Sequence, residues 1–393
     1  MESSSLRSRP HISPTINAFG DSVGHADAAQ GSGVKVFDFF SGCGGASRGF
    51  LDAGMEVVFA LDSDADAAST FLRNFPSASF ESRDIRLVEE DSVRIRVVEQ
   101  RPHPVLFSGC APCQPFTSHN TTRPEPNEDD RVPLLLEFLR FIRASEPDIV
   151  FVENVPGIQN ACPGSGPLSE FLRGLEEAAY HYSDPRRAAV PLKRYGVPQD
   201  RRRFLLLASR HGPVDLPPAT HGPGTDNPQF ATVRDWIGDL PAIQAGESHP
   251  EVPNHRAARL SPLNLERVRA TPEGGGNRDW PKHLQLKCHK KTTGYSDVYG
   301  RMSWDRPASG LTTRCISYSN GRFGHPDTSQ RRAISVREAA CLQTFPMDFA
   351  FTGSLNSMAR QIGNSVPVRL ATIIGRHVER HLAETGVIRR RCK

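Results

Sequence analysis

The chain has 393 residues, of which 37% are hydrophobic, so it is long and apolar enough for two ordinary globular domains. Its 48 Lys and Arg residues against 44 Asp and Glu residues give a net charge of +4, which selects no class of partner because a local basic cleft can serve a nearly neutral protein. No apolar run approaches the ~20 residues of a membrane span, and residues 1–33 lack a signal-peptide core, so we expect no membrane partner and a disordered N-terminal extension.

The first predicted strand, Val34–Phe40, runs into a glycine-rich turn at Ser41–Ser47 and then a helix. Such a turn lets a cofactor approach the backbone closely. The next strand, Val57–Leu61, ends in Asp62-Ser63-Asp64, about twenty residues beyond Gly42, where a carboxylate can hold ribose hydroxyls. Because the glycine spacing departs from the G-x-G-x-x-G pattern of dinucleotide sites, we favour a nucleoside cofactor without bridging phosphates over a dinucleotide.

A thiol and a carboxylate follow two later apolar runs. Cys113 comes shortly after Val105–Phe107, and Glu153 directly ends the run Ile149–Val152. If the two strands are neighbours in an open α/β sheet, both side chains lie at the edge where ligands bind. A thiolate beside a carboxyl group indicates covalent catalysis on an electron-poor ring. The alternative is a buried cysteine and a glutamate that caps a helix.

The chain contains eight cysteines and one C-x-x-C pair, Cys110 and Cys113, so redox and zinc sites are alternatives to a nucleophile. A thioredoxin-like motif opens a helix in a much smaller fold, and a zinc site needs a second cysteine or histidine pair at similar spacing. The sequence shows neither pattern. Cysteine usage therefore favours a reducing compartment and a free Cys113.

Helical and strand-like patterns alternate through the first half of the chain, as a doubly wound α/β domain requires. The polar, proline-bearing stretch 114–131 has the length of a mobile lid, although an ordinary surface loop is the simpler alternative. Further along, Phe204–Ser209 reads as a late strand and Pro367–Leu382 as a terminal helix packed near the first strand. The predicted amphipathic helices are Asp66–Phe75, Val132–Ala144 and Leu168–Ala179.

Segments from Phe37 to about Val368 resemble, in the same order along the chain, those of the DNA cytosine-5 methyltransferases of the bacterial type found in restriction-modification systems. The resemblance implies a Rossmann-like S-adenosylmethionine-dependent methyltransferase domain with an inserted smaller target-recognition domain of short strands and loops. It is carried by Phe37–Gly45, Pro112-Cys113-Gln114, Glu153-Asn154-Val155, Tyr195–Arg203, Arg337–Pro346 and Gln361–Pro367.

The resemblance assigns roles to the candidate catalytic residues. Cys113 is expected to add to C6 of cytosine, while Glu153 contacts N3 and the exocyclic amine. Arg203 is expected to hold the base at O2 and to steady the glutamate, and Arg201 to support the thiolate and a phosphate. Since C6 is reached from above the ring plane, the target base must leave the duplex stack.

The same resemblance implies binding residues for S-adenosylmethionine and for DNA. The expected cofactor-binding residues are Phe40, Gly42, Gly44, Asp62, Ser63, Asp84, Ile85, Leu134, Asn364 and Ser365. The expected DNA-binding residues are Gln114, Ser118, Arg131, Thr312, Thr313 and Arg314.

Three positions depart from the family pattern. Asp62 stands where a longer glutamate is more common, and Arg83 precedes Asp84 where glycine is frequent. Thr117 replaces the usual serine, as it also does in the relatives that methylate tRNA. A tRNA cytosine-5 methyltransferase is therefore an alternative, and a non-catalytic DNA-binding relative is another. The full set of motifs and the long recognition insert favour a DNA-modifying enzyme.

The motif positions divide the chain into four parts. Residues 1–33 are the extension, 34–211 the first part of the catalytic domain, 212–332 the target-recognition domain, and 333–393 the returning part of the catalytic domain. We expect a monomer in the bacterial cytoplasm, associated with the nucleoid, that acts on double-stranded DNA. A cognate restriction endonuclease acting on the same site is a further expected partner.

Overall fold

The computed structural model describes residues 33–112, 134–160, 166–183, 189–286 and 297–389. Its centre is an eight-stranded sheet in which β7 pairs with β9 beside the order β3-β2-β1-β4-β5-β9-β6. The strands are β1 (Lys35–Phe39), β2 (Glu56–Asp62), β3 (Ser79–Ser82), β4 (Val105–Gly109), β5 (Ile149–Asn154), β6 (His181–Tyr182), β7 (Val190–Pro191), β8 (Gln199–Asp200), β9 (Arg202–Ser209) and β10 (Ala308–Ser309).

Strands β1 to β5 run parallel, which confirms the predicted α/β class. Every residue of β4 and β5 is buried, because helices cover both faces, and their sequences are correspondingly apolar. The predicted late strand is confirmed as β9, which runs antiparallel to β5. Sequence pattern gave no sign of this reversal.

The predicted helices are present, with ends shifted by a residue or two. The α-helices are α1 (Gly45–Asp52), α2 (Ala65–Asn74), α3 (Glu90–Gln100), α4 (Leu134–Ser145), α5 (Pro167–Glu177), α6 (Val233–Ile237), α7 (Pro262–Arg269), α8 (Val336–Leu342), α9 (Leu355–Asn364) and α10 (Val368–Glu384).

The terminal helix α10 packs against α1, the helix that follows β1. The two backbones approach closely because α1 carries glycine at the contact: a Cβ atom on Gly45 would overlap the carbonyl oxygen of Val366, and one on Gly49 that of Val368. The first and last helices of the described chain therefore form one layer beside the cofactor-type turn.

Aromatic side chains fill the core on one face of the sheet. Phe39 lies with its ring centroid 4.9 Å from that of Phe107 and 5.1 Å from that of Phe138 on α4. Phe37 lies 5.4 Å from Phe107 by the same measure. All four rings are buried, so the central strands are held by apolar packing.

We expected short strands and loops in the recognition region. In its described part loops dominate, with two short α-helices, three 3₁₀ helices and one two-residue strand. Buried arginines take the place of strand pairing. Arg301 is fully buried and donates to the carbonyl oxygens of Val268 (2.6 Å), Thr271 (2.8 Å) and Asp327 (3.2 Å). Its guanidinium thus satisfies backbone carbonyls that a ladder would otherwise pair. The domain limits at 212 and 332 stay predictions.

In the part of the chain with described coordinates, no helix combines the length and apolar character needed to cross a bilayer.

Candidate active site

A cleft of about 210 Å³ opens at the carboxyl ends of the parallel strands. Strand order reverses between β1 and β4, which is the point where open α/β sheets bind ligands. Its lining residues come from both ends of the chain: Asp38, Phe40, Ser41, Gly42, Ala46, Asp62, Asp64, Ala67, Cys110, Ala111, Pro112, Glu153, Arg201, Arg203, Arg360, Gln361, Gly363, Asn364, Ser365 and Val366.

The glycine turn after β1 forms one wall of the cleft. Gly42 and Gly44 adopt positive φ angles of 53° and 96°, which side chains other than glycine rarely tolerate. The Gly42 N–H donates to one carboxylate oxygen of Asp62 at 2.8 Å, and the Asp64 N–H donates to the other at 2.8 Å. The turn and the end of β2 therefore hold the Asp62 carboxylate in place. Its burial raises the pKa of Asp62.

Buried polar atoms at the cleft that have no hydrogen-bond partner among the described residues include Asp38 Oδ1, Ser41 Oγ and Gln361 Oε1. The other oxygen of Asp38 accepts from Ser47 Oγ at 2.6 Å, and burial raises the pKa of Asp38 to about 6. Unpaired buried polar atoms are costly unless a ligand or water satisfies them. The cleft thus fits a ligand rich in hydrogen-bonding groups, as a nucleoside with an amino-acid tail is.

The expected cofactor residues divide into two groups. Phe40, Gly42, Asp62, Asn364 and Ser365 line the cleft, whereas the others lie outside its lining: Gly44, Ser63, Asp84, Ile85 and Leu134.

The residues outside the lining are engaged elsewhere. Asp84 forms an ion pair with Arg86, with 2.6 Å between Oδ2 and Nη2, and this contact lowers the pKa of Asp84. Ile85 and Leu134 are buried in the aromatic core, and Ser63 is exposed. Their contact with a cofactor stays a prediction.

Glu153 and Arg203 meet at the cleft. Glu153 is the next-to-last residue of β5, and Arg203 lies on β9, whose antiparallel pairing sets Asn154 opposite Phe204. The Arg203 Nε atom is 2.7 Å from Glu153 Oε1, and both side chains are largely buried. The contact expected between these two residues is therefore present as an ion pair, and it places the guanidinium beside the carboxylate.

Arg201 is 5% exposed and bridges two segments distant in sequence. Its Nη1 donates to the Leu311 carbonyl oxygen at 2.6 Å, and its Nη2 donates to the Gly363 carbonyl oxygen at 3.1 Å. The predicted support of a thiolate and a phosphate by Arg201 stays a prediction. Cys113 lies outside the described residues, as do Gln114, Ser118, Arg131 and the predicted lid.

The structure nevertheless describes the residues just before Cys113, up to Pro112. Asn154 Nδ2 donates to the Ala111 carbonyl oxygen at 3.1 Å, so the residue after Glu153 holds the backbone just before Pro112. Burial, and then the charge of Glu153, raise the pKa of Cys110 well above its ordinary value. Because the thiolate is the reactive form, Cys110 is poorly suited to act as a nucleophile.

The predicted DNA-binding residues Thr312, Thr313 and Arg314 are exposed on a loop that starts at the cleft. Sequence reasoning assigned no role to the cleft residues Asp38, Arg360 and Gln361, and it named Asp64 only as one of two carboxylates that could hold ribose hydroxyls. Arg360 on α9 pairs with Asp64 at the start of α2, with 2.9 Å between Nη2 and Oδ2. A buried acid within an otherwise apolar strand was the one available signal, and it pointed to Asp38.

Comparisons with known proteins agree with this geometry. The family model for C-5 cytosine-specific DNA methylases matches residues 34–380. Type II methylase M.HgiDII of Herpetosiphon aurantiacus is 38% identical over 353 residues, covering 88% of this chain and 95% of the relative.

Solved structures share the fold. A DNA modification methyltransferase encoded within an Escherichia coli prophage superposes with a TM-score of 0.66 at 22% identity, covering 89% of this chain and 99% of that one. The Entamoeba histolytica methyltransferase EhMeth gives a TM-score of 0.59 at 15% identity, covering 89% and 98%. The family match over residues 34–380 and the 38% identity to M.HgiDII show that the chain belongs to the C-5 cytosine-specific DNA methylases and is a DNA (cytosine-5-)-methyltransferase.

Proposed function

We propose that this enzyme methylates a flipped-out cytosine within a specific duplex DNA sequence through a covalent bond between Cys113 and C6. The observation that carries the proposal is the buried Glu153–Arg203 pair beside Ala111 and Pro112, which directly precede Cys113. A carboxyl group held by an arginine at this edge suits a planar heterocycle with both a ring nitrogen and an adjacent oxygen.

The reaction asks the protein to make cytosine C5 nucleophilic. The Cys113 thiolate adds to C6, and the displaced electron pair moves toward N3, where Glu153 supplies or shares a proton. Arg203 holds O2 of the base and keeps the carboxyl group in position. S-adenosylmethionine supplies an electrophilic methyl group on a sulfonium centre. C5 would bond to this methyl carbon as the methyl–sulfur bond breaks, so that S-adenosylhomocysteine is the leaving group. A base then takes the C5 proton, and the freed electron pair re-forms the C5–C6 double bond as the C6–S bond breaks, which returns Cys113 to the thiolate and leaves 5-methylcytosine.

Residues of this chain fit the methyl donor. We assign Asp62 to the ribose hydroxyls, because it lines the cleft beside Asp38 and Ser41, each of which has a buried oxygen atom without a hydrogen-bond partner among the described residues. Asn364 and Ser365 line the same cleft. We assign Gly44, Ser63, Asp84, Ile85 and Leu134 to the same site on the family resemblance.

The DNA-facing side is assigned to Gln114, Ser118, Arg131, Thr312, Thr313 and Arg314. Base flipping costs a few kcal/mol, which protein contacts to the strand and to the extruded base must offset. We infer that residues 212–332 act as the target-recognition domain. The proposed setting is a bacterial cytoplasm, where a monomer acts alone or beside a restriction endonuclease for the same site.

Two experiments test the proposal. Bisulfite sequencing of host DNA after expression should reveal one methylated motif, and Cys113→Ser should abolish it without changing the melting temperature. A duplex with 5-fluorocytosine at the mapped position should form a stable adduct on residue 113. Normal methylation by Cys113→Ser would refute the covalent mechanism, and labelling of tRNA with no labelling of duplex DNA would favour a tRNA methyltransferase.

A further inference from the structure

The residues of β8 and the arginine after it lie at a junction of three segments. β8 pairs in parallel with β10 of the recognition region, and the Ala308 N–H donates to the Pro198 carbonyl oxygen at 2.8 Å. The loop 311–314 follows β10. On its other side the loop packs against the end of α9, whose last residues line the cofactor-type cleft.

Gln199, on β8, joins the start of the loop to α8. Its side-chain oxygen accepts from the Leu311 N–H at 3.0 Å, and its side-chain nitrogen donates to the Leu342 carbonyl oxygen at 2.8 Å. Gln199 is fully buried, so losing either bond would leave a buried polar group unsatisfied. The Gln199 side-chain nitrogen also donates to Gln343 Oε1, and the Gln343 side-chain nitrogen donates to the Ser365 carbonyl oxygen. The start of the loop is thereby linked through Gln199 and Gln343 to a residue that lines the cleft.

Arg201 joins the loop to the cleft. One arm of its guanidinium donates to the Leu311 carbonyl oxygen and the other to that of Gly363, the residue before Asn364. The planar fork sets the distance between these two carbonyls, which a lysine ammonium does not do.

The loop and α9 also touch directly. A Cβ atom on Gly363 would overlap the carbonyl group of Thr312 and lie 2.5 Å from the Thr313 nitrogen. The contact is between backbone and backbone, so neither side can yield by rotating a side chain. A shift of the exposed residues Thr312–Arg314 must therefore move Gly363 or break its contacts.

We propose that Gln199 and Arg201 couple the DNA-facing loop 311–314 to the cofactor-facing residues 363–365, so that each ligand strengthens binding of the other. Arg201 acts here as a positioning residue, and the inference rests on the proposed function. Linkage requires the two effects to be equal: DNA changes cofactor affinity by the same factor by which cofactor changes DNA affinity.

The test measures S-adenosylhomocysteine binding to the full chain by calorimetry, with and without a duplex carrying the mapped motif. The wild type should bind about 10-fold more tightly with the duplex, within the range typical of coupled sites. Arg201→Lys should bring this ratio below about 2, because the bridge between the two carbonyls is lost. Gly363→Ala should do the same by separating loop and helix.

Arg337→Lys is the matched control, since Arg337 is equally buried and also donates to backbone carbonyls, those of Pro253, Pro346 and Phe349. It should lose stability and keep the coupling ratio. The inference is overturned if folded Arg201→Lys and Gly363→Ala both keep the wild-type ratio, if Arg337→Lys loses it equally, or if the wild type shows no coupling. In these cases methylation by the wild type persists, whereas failure of the proposed function would abolish it.

Discussion

Buried backbone N–H and C=O groups need hydrogen-bond partners both in the central sheet and in the described part of the recognition region, and the two regions supply these partners by different means. In β4 and β5 the ladder pairs the backbone, and side chains such as Phe107 are free to pack as an apolar core. Between 212 and 332, a buried arginine such as Arg301 pairs carbonyls that lie in loops. The first solution repeats along the chain, whereas the second depends on single residues. Replacing one side chain should therefore have different consequences in the two regions.

The largest expected effect is on chemistry at the sheet edge. Glu153→Gln keeps the shape of the side chain but removes the acid, so kcat should fall about 10²–10⁴-fold while the melting temperature changes little. Labelled methyl transfer to DNA carrying the mapped motif measures it. Glu137→Gln on α4, outside the cleft lining, is the control and should keep wild-type kcat. Unchanged kcat in Glu153→Gln would remove Glu153 from the mechanism.

The next effect is on the apolar core. Phe107→Ala should lower the free energy of unfolding by about 3–5 kcal/mol, because a fully buried ring is replaced by a cavity. Urea denaturation followed by circular dichroism measures this loss. Exposed Leu87, at 67% exposure, gives the control Leu87→Ala with little change. A loss below about 1 kcal/mol for Phe107→Ala would contradict the packing described for the sheet.

Arg301→Met sharpens the comparison in the recognition region. The methionine fills much of the space but leaves several buried carbonyls unpaired, at about 1–3 kcal/mol for each that water does not reach. We expect a loss of about 3 kcal/mol and early protease cleavage between 212 and 332, with the sheet still folded. Exposed Arg306→Met is the control. Cooperative loss of both regions together would show that they form a single unfolding unit.

The smallest expected effect is the pH response of an ion-pair network where β5 begins. Burial opposes the charged form of Asp148, but the Val105 N–H, His211 and Arg101 outweigh it and lower the pKa of Asp148. A lowered folded pKa contributes stability that is present above the unfolded pKa, ~3.9, and is lost as pH falls through the folded value.

Asp148→Asn should therefore lower the free energy of unfolding by about 1–2 kcal/mol at pH 7. The difference in unfolding free energy between this variant and the wild type should become smaller as the pH approaches 3. Thermal melts from pH 3 to 7 measure the gap. Asp66→Asn, at an exposed site, is the control. A gap that widens toward low pH would contradict the assigned direction.

The sequence predicted the local features of the site better than the long-range contacts around it. The apolar runs before Cys113 and Glu153 indicated neighbouring strands, and β4 and β5 are adjacent and parallel. Glycine spacing likewise indicated the turn that contacts Asp62. These features are local, since periodicity and turn chemistry act over a few residues.

What remained hidden depends on long-range contacts. The antiparallel direction of β9 cannot be read from its composition, and it is what brings Arg203 to Glu153 at 2.7 Å. Arg201 and Arg301 have the sequence appearance of solvated cations, yet both are buried and donate to carbonyls distant in the chain. The residues next to an arginine in the sequence do not indicate which distant loop will pack around its side chain.

The layer formed by α1 and α10 has a consequence for synthesis of the enzyme. Asp38 and Ser365 share one cleft although most of the polypeptide separates them. A nascent chain on the ribosome therefore lacks the complete pocket until residues 360–366 emerge. Two separately expressed fragments divided in a loop between the two halves of the pocket should regain methyl transfer only when they are mixed.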